Sequence, residues 1–179
     1  ARELLRESKY GNDLDNLPPI TITTPGSFGA NVSLDMEVVL AMWEKDLGIN
    51  TEFQQTEFAT FLKDLNKRRF QMFDIGWIAD YPDPENFLDI LFYSDSSNNH
   101  TNYSNPEVDA LLERARVETD ETLRFSIYSE AEQVILDDAP WIPLWYSGER
   151  YLLVKPNVHD YLQTPLIIPK LKHVYLTAE

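Results

Sequence analysis

The sequence predicts an α/β domain: a parallel-rich sheet with flanking helices. Three observations predict it. Short β-branched or apolar runs alternate with stretches of helical periodicity, in the order strand, helix, strand, helix, strand. Each crossover is long enough to hold a helix, which parallel pairing requires. The chain has 179 residues, 43% of them apolar, which suffices for one good core or two small ones.

The elements follow in order. Residues 1 to 10 read as a short helix closed near Gly11. Ile20 to Thr24 is β-branched and ends at Pro25-Gly26, so it reads as a strand. Val32, Met36, Val39, Leu40, Trp43 and Leu47 share one helical stripe, which Gly48 closes. Asn50 to Gln54 reads as a second strand. Thr56 is placed to cap a helix carrying Phe58, Phe61, Leu62 and Leu65. Phe70 to Ile78 reads as a third strand. Parallel strands share one C-terminal rim. Here that rim would gather Pro25-Gly26-Ser27, Gln54-Gln55 and Ala79-Asp80-Tyr81.

The second half is helical. Ser104-Asn105-Pro106-Glu107 starts a helix with the stripe Val108, Leu111, Leu112 and Ala115. Asp120 caps another, carrying Leu123, Ile127, Ala131, Val134 and Ile135 and ended by Pro140. Trp141 to Tyr146 is extended and broken by proline, which fits a boundary strand. From Gly148 the chain runs as short apolar pieces between prolines, with no stripe of its own.

Composition excludes several functions. There are 15 basic and 30 acidic residues, a net charge of −15, so a nucleic-acid partner is not expected. There is no cysteine, which removes disulfides, zinc-cysteine sites and thiol catalysis. No stretch approaches the ~20 apolar residues of a membrane helix. The first residues, Ala1 to Arg6, are charged, form no signal peptide and read as the middle of a helix that began earlier. The expectation is a piece of a longer chain.

The stretch Gly76-Trp77-Ile78-Ala79-Asp80-Tyr81-Pro82-Asp83-Pro84-Glu85 carries the chemistry. Asp80 stands beside Trp77 where a strand is expected to stop and a proline-stiffened loop to begin. Trp77 is the candidate wall of a pocket. Asp80, Asp83 and Glu85 do not have the spacing of a calcium loop, so no metal is expected. Asp83, Glu85 and Asn86 read as turn and capping residues. A competing class is a hydrolase using Asp80 with Asp83 or Glu85 as an acid–base pair. A third is a self-contained interaction module. His100, His159 and His173 lie in no nucleophile-elbow or zinc-protease context. No glycine-rich phosphate loop is present.

The run Phe73-Asp74-Ile75-Gly76-Trp77-Ile78-Ala79-Asp80-Tyr81-Pro82-Asp83-Pro84 resembles the second large lobe of family 5 extracytoplasmic solute-binding proteins, the oligopeptide and dipeptide type of bacterial ABC importers. The likeness continues through Asn98 to Leu112 and through Asp138-Ala139-Pro140-Trp141-Ile142-Pro143-Leu144. It implies a periplasmic-binding-protein-like lobe over residues 1–148. Residues 149–179 would be a C-terminal tail crossing back to a missing first lobe. It also implies capture of a peptide, or another small molecule, by closure of two lobes. Delivery to a membrane permease outside the cytoplasm would follow, from a periplasmic or lipoprotein parent, without catalysis or cofactor. Some relatives bind nickel, haem or sugars. Asp80 matches the aspartate that holds a peptide's α-ammonium. The backbone of Gly76, Trp77, Ile78 and Ala79 would pair with the peptide as an added strand. Asn102 and Tyr146 lie in matching stretches.

Overall fold

The computed structural model describes residues 1–11, 13–26, 33–146, 153–162 and 171–178. The chain divides into two compact units, Ala1–Gly76 and Trp77–Glu179.

The first unit holds the sheet. After helix α1 (Arg2–Glu7) and a 3-10 turn at Leu14–Asn16, strand β1 (Ile20–Pro25) lies between β2 (Thr51–Thr56) and β3 (Met72–Phe73), and both pairings are parallel. Helix α2 (Leu34–Met42) connects β1 to β2, and α3 (Phe58–Asn66) connects β2 to β3. The predicted α/β class is therefore the observed one. Of the α2 stripe, Met36 is buried while Val39, Leu40, Trp43 and Leu47 are half-buried; Val32 lies outside the described residues. The five residues that follow α2, Trp43–Leu47, continue it as a π-helical turn. Gly48 ends it at φ 70°, a left-handed conformation glycine adopts without Cβ strain. Ile22, Met36, Ile49, Phe61 and Leu65 form the buried apolar set, with Phe70 stacked on Phe61 at 5.0 Å.

Three expectations change. The cap of α3 is Glu57, whose carboxylate accepts from the N–H groups of Ala59 and Thr60, both at 3.0 Å. Thr56 stays in β2. Helix α1 is shorter than expected. The third strand is much shorter than the predicted 70–78, and Asp80 therefore follows it by seven residues. Proline explains the early stop. Thr23 pairs with Phe73, and its carbonyl accepts from the Asp74 N–H at 3.1 Å. Pro25 is the next β1 residue to face β3, and it has no N–H to give the Asp74 carbonyl. The ladder ends there.

The second unit is a helical core. Helices α4 (Glu85–Phe92), α5 (Pro106–Val117) and α6 (Glu121–Asp138) pack through Leu91, Phe92, Val108, Leu111, Leu112, Ala115, Ile127, Tyr128, Ala131 and Ile135. Both predicted starts hold: Asn105 Oδ1 accepts from the Glu107 N–H at 2.9 Å, and Asp120 Oδ1 from the Leu123 N–H at 2.9 Å. Helix α6 ends at Ala139, φ 50°. Trp141 to Tyr146 is extended but joins no ladder, although Trp141 sets its ring edge-on to Phe92 at 5.3 Å. Farther on, β4 (Val158–His159) and β5 (Tyr175–Leu176) form a small antiparallel pair. No helix among the described residues is long and apolar enough to cross a membrane.

Candidate functional site

The candidate site is the connection Trp77 to Glu85, held on one side by the helical core. Trp77 is half-buried and packs against that core. Its indole N–H donates to Asn86 Oδ1 at 3.0 Å. The Asp80 backbone N–H donates to the same oxygen at 3.2 Å. Asn86 is fully buried in the first turn of α4. Both its partners can only donate, so the oxygen, and not the amide nitrogen, must face them. The nitrogen approaches the Tyr81 phenol without reaching hydrogen-bond geometry.

The acids differ sharply in their partners. Asp83 Oδ1 accepts from the Glu85 N–H at 2.9 Å, as the turn reading expected. Arg124 of α6 then grips Asp83 with both terminal nitrogens, at 2.8 and 2.7 Å. That hydrogen-bonded guanidinium holds the Asp83 carboxyl below its ordinary range. Asp89 is buried and gripped by Arg116 through Nε at 3.0 and 3.1 Å and also through Nη2. Glu85 accepts from the Tyr81 hydroxyl at 3.1 Å. The Asn86 amide lowers the Tyr81 phenol, but burial and Glu85 outweigh it and the net direction is upward. Asp80 is exposed, and among the described residues no basic group pairs with its carboxylate.

The backbone before Asp80 is also unpaired. Among the described residues, no backbone hydrogen bond involves Ile75 to Ala79. Gly76 is exposed, and a Cβ built on it would meet nothing within 4 Å. Five consecutive residues thus hold their N–H and C=O groups out of any ladder, which is the state of a free sheet edge.

The remaining predicted residues lie elsewhere in the second unit. Asn102 is exposed and left-handed, φ 59°. Its conformation follows from Asn99, which is buried and donates to the carbonyls of Tyr93 and Tyr103 while accepting from the Tyr103 N–H. Tyr146 is 91% exposed. Ser27, expected at the rim, lies outside the described residues. Asn99 and Asn86 were the residues whose roles the sequence understated. Their signal was an asparagine next to turn residues, which tells of a local bond but not of its distant partner.

The arrangement suits binding better than catalysis. A general acid needs a raised pKa, and Asp83 is shifted the other way. No group of three metal-ligating side chains occurs among the described residues.

Comparison with known proteins gives the same picture. The sequence model of a family described as bacterial extracellular solute-binding proteins, family 5 Middle, matches residues 1–99. The periplasmic oligopeptide-binding protein OppA of Salmonella typhimurium is 35% identical over 139 residues, covering 77% of this chain and 25% of OppA. Its Escherichia coli counterpart is 33% identical over 165 residues, covering 90% of this chain and 28% of that one. The solved structure of the E. coli murein tripeptide binding protein MppA matches with a TM-score of 0.80 at 27% identity, over 99% of this chain and 34% of MppA. The chain thus spans about a quarter of the length of these curated relatives. These relatives are binding proteins rather than enzymes. By sequence and by fold, the chain belongs to the family 5 bacterial extracellular solute-binding proteins.

Proposed function

We propose that this chain supplies a ligand-binding lobe of an ABC-importer substrate-binding protein acting outside the cytoplasm, and that its ligand is a peptide. The observation that carries the reading is the isolation of Asp80. Asp83 and Asp89 are neutralised by arginines, while the Asp80 carboxylate is exposed and has no cationic partner among the described residues. Glu85 has no basic partner among the described residues either, but its carboxylate accepts from the Tyr81 hydroxyl and is half-buried, so Asp80 is the exposed acid of this stretch with neither kind of partner. The α-ammonium of a peptide is a cation that suits it. The unpaired backbone of Gly76 to Ala79 supports the same ligand, because an extended peptide can bond to it as an added strand. Such pairing reads main chain and tolerates many side chains. The peptide-binding relatives support the choice of ligand class. Domain closure over the peptide would then desolvate the Asp80–ammonium pair, and the loaded protein would deliver its cargo to a membrane permease.

The test is Asp80→Ala in the full-length protein, read by calorimetry with a peptide that the wild type binds. Removing one member of a buried ion pair costs about 3–5 kcal/mol, so tight binding should be lost. Unchanged affinity would defeat the assignment.

A further inference from the structure

Asp80 is exposed, and an exposed carboxylate on a loop has no fixed direction unless its backbone is held. The segment from Ile75 to Ala79 has no backbone hydrogen bond among the described residues. The next backbone bond, Asp83 N–H to the Tyr81 carbonyl, lies beyond Asp80. What holds Asp80 is one side-chain atom. Asn86 Oδ1 receives the Asp80 N–H at 3.2 Å and the Trp77 indole N–H at 3.0 Å. A single buried oxygen thereby ties residues 77 and 80 together, in place of the backbone bond that closes an ordinary turn. The oxygen is itself immobile: Asn86 is fully buried in α4, whose Leu91 and Phe92 sit in the helical core. Rigid elements with locked side chains place a functional group better than loops do.

We propose that Asn86 is the positioning residue of the Asp80 carboxylate: its buried oxygen fixes the turn from Trp77 to Asp80 and so sets where the charge meets a ligand's ammonium. The proposal rests on the peptide reading above. It makes Asn86 matter most for the amino terminus of a ligand. Through Trp77 the same oxygen also bears on the backbone that would pair with the ligand, an effect that free and acetylated peptides share and that their ratio cancels. A peptide whose amino group is acetylated lacks the cation and should not sense the position of Asp80.

The experiment is equilibrium dialysis of a randomised tetrapeptide pool, with free or acetylated amino termini, against the full-length protein. The proteins compared are the wild type, Asp80→Asn, Asn86→Leu and Asn86→Asp, each with its thermal melt. The wild type should prefer the free-amine pool, and Asp80→Asn should abolish that preference. Asn86→Leu should reduce the preference by about tenfold, the scale of one misdirected charge-assisted bond, because the free-amine pool loses more affinity than the acetylated one. Asn86→Asp keeps an acceptor oxygen in place and should retain more of the preference than Asn86→Leu. If the leucine protein fails to melt cooperatively, Asn86→Ala is judged by the same ratio. A preference unchanged from wild type in Asn86→Leu overturns the proposal while leaving the ammonium reading intact. So does an equal loss of both pools, which would mark a purely structural residue. A wild type that binds both pools equally overturns the ammonium reading and the proposal with it.

Discussion

Arg124 neutralises one acid of the Trp77–Glu85 loop, Asp83. It comes from α6, forty-one residues on from Asp83, and takes both oxygens of that carboxylate. It also donates to the Ala115 carbonyl at 3.3 Å and lies over the Tyr128 ring. The pair is partly shielded: the Arg124 and Asp83 side chains are 21% and 28% exposed. Hydrogen bonds to charged groups contribute about 1.5–3 kcal/mol when shielded. The residual exposure argues for the lower end, about 1.5 kcal/mol. Arg124→Met keeps the aliphatic stem and removes the fork, so it should destabilise the protein by about that amount in urea melts. The Asp83 carboxyl should then titrate higher, because its first-ranking support, the guanidinium, is gone. A carboxyl that titrates as before, followed by NMR, would show that Arg124 does not hold it.

At the scale of elements, the junction of α5 and α6 shows what a sequence exposes and what it conceals. Asn105 followed by Pro106 declares a helix start, because a side-chain acceptor and a residue lacking N–H suit those two positions. The structure adds a second task. The Asn105 amide nitrogen donates to Asp138 Oδ2 at 2.7 Å, and the Tyr103 hydroxyl donates to the same oxygen at 2.6 Å. The start of α5 is thereby tied to the end of α6. Burial, followed by the Asp138 bond, pushes the Tyr103 phenol up. Asn105→Ala should cost about 1 kcal/mol through the lost cap alone. Hydrogen exchange should speed in the first turn of α5 and also in the last turn of α6. Faster exchange confined to α5 would show a cap and nothing more. The helices were legible because their caps and stripes are local. The length of β3 was not, because Pro25, on another strand, sets it. The cap of α3 was misjudged by one residue, since Thr56 and Glu57 both offer an acceptor and the β2 ladder retains the first. Asn86 was legible as a turn residue. Its hold on Trp77, nine positions away, was not.

Over the whole molecule, the family was legible from a few long motifs, while the state of Asp80 needed the partners of Asp83 and Asp89, which no spacing reveals. The net charge of −15 has a consequence of its own, since self-repulsion works against a compact chain. Asp83, Asp138 and Glu57 have lowered pKa values, owing first to Arg124, to the Tyr103 hydroxyl and to the Ala59 N–H respectively. Such carboxyls stabilise the fold above their unfolded pKa, near 4, and lose that contribution as pH falls through the folded value. Asp74 has the opposite sign. Burial raises it, so its charged form opposes folding above about 4, and the opposition fades as pH drops through the raised value. Between about pH 8 and 5.5 the first three stay ionised and add no slope. Repulsion falls over the same range as the chain approaches its isoelectric point, about 4.5. At low salt the melting temperature should therefore be higher at about pH 5.5 than at pH 8, and should fall below about pH 4. Salt at about 0.5 M shortens the screening length to a few ångströms and should raise the pH 8 value toward the other. A melting temperature at low salt that stays flat or climbs from about pH 5.5 to 8 would mean that net repulsion does not govern the stability of this chain over that range.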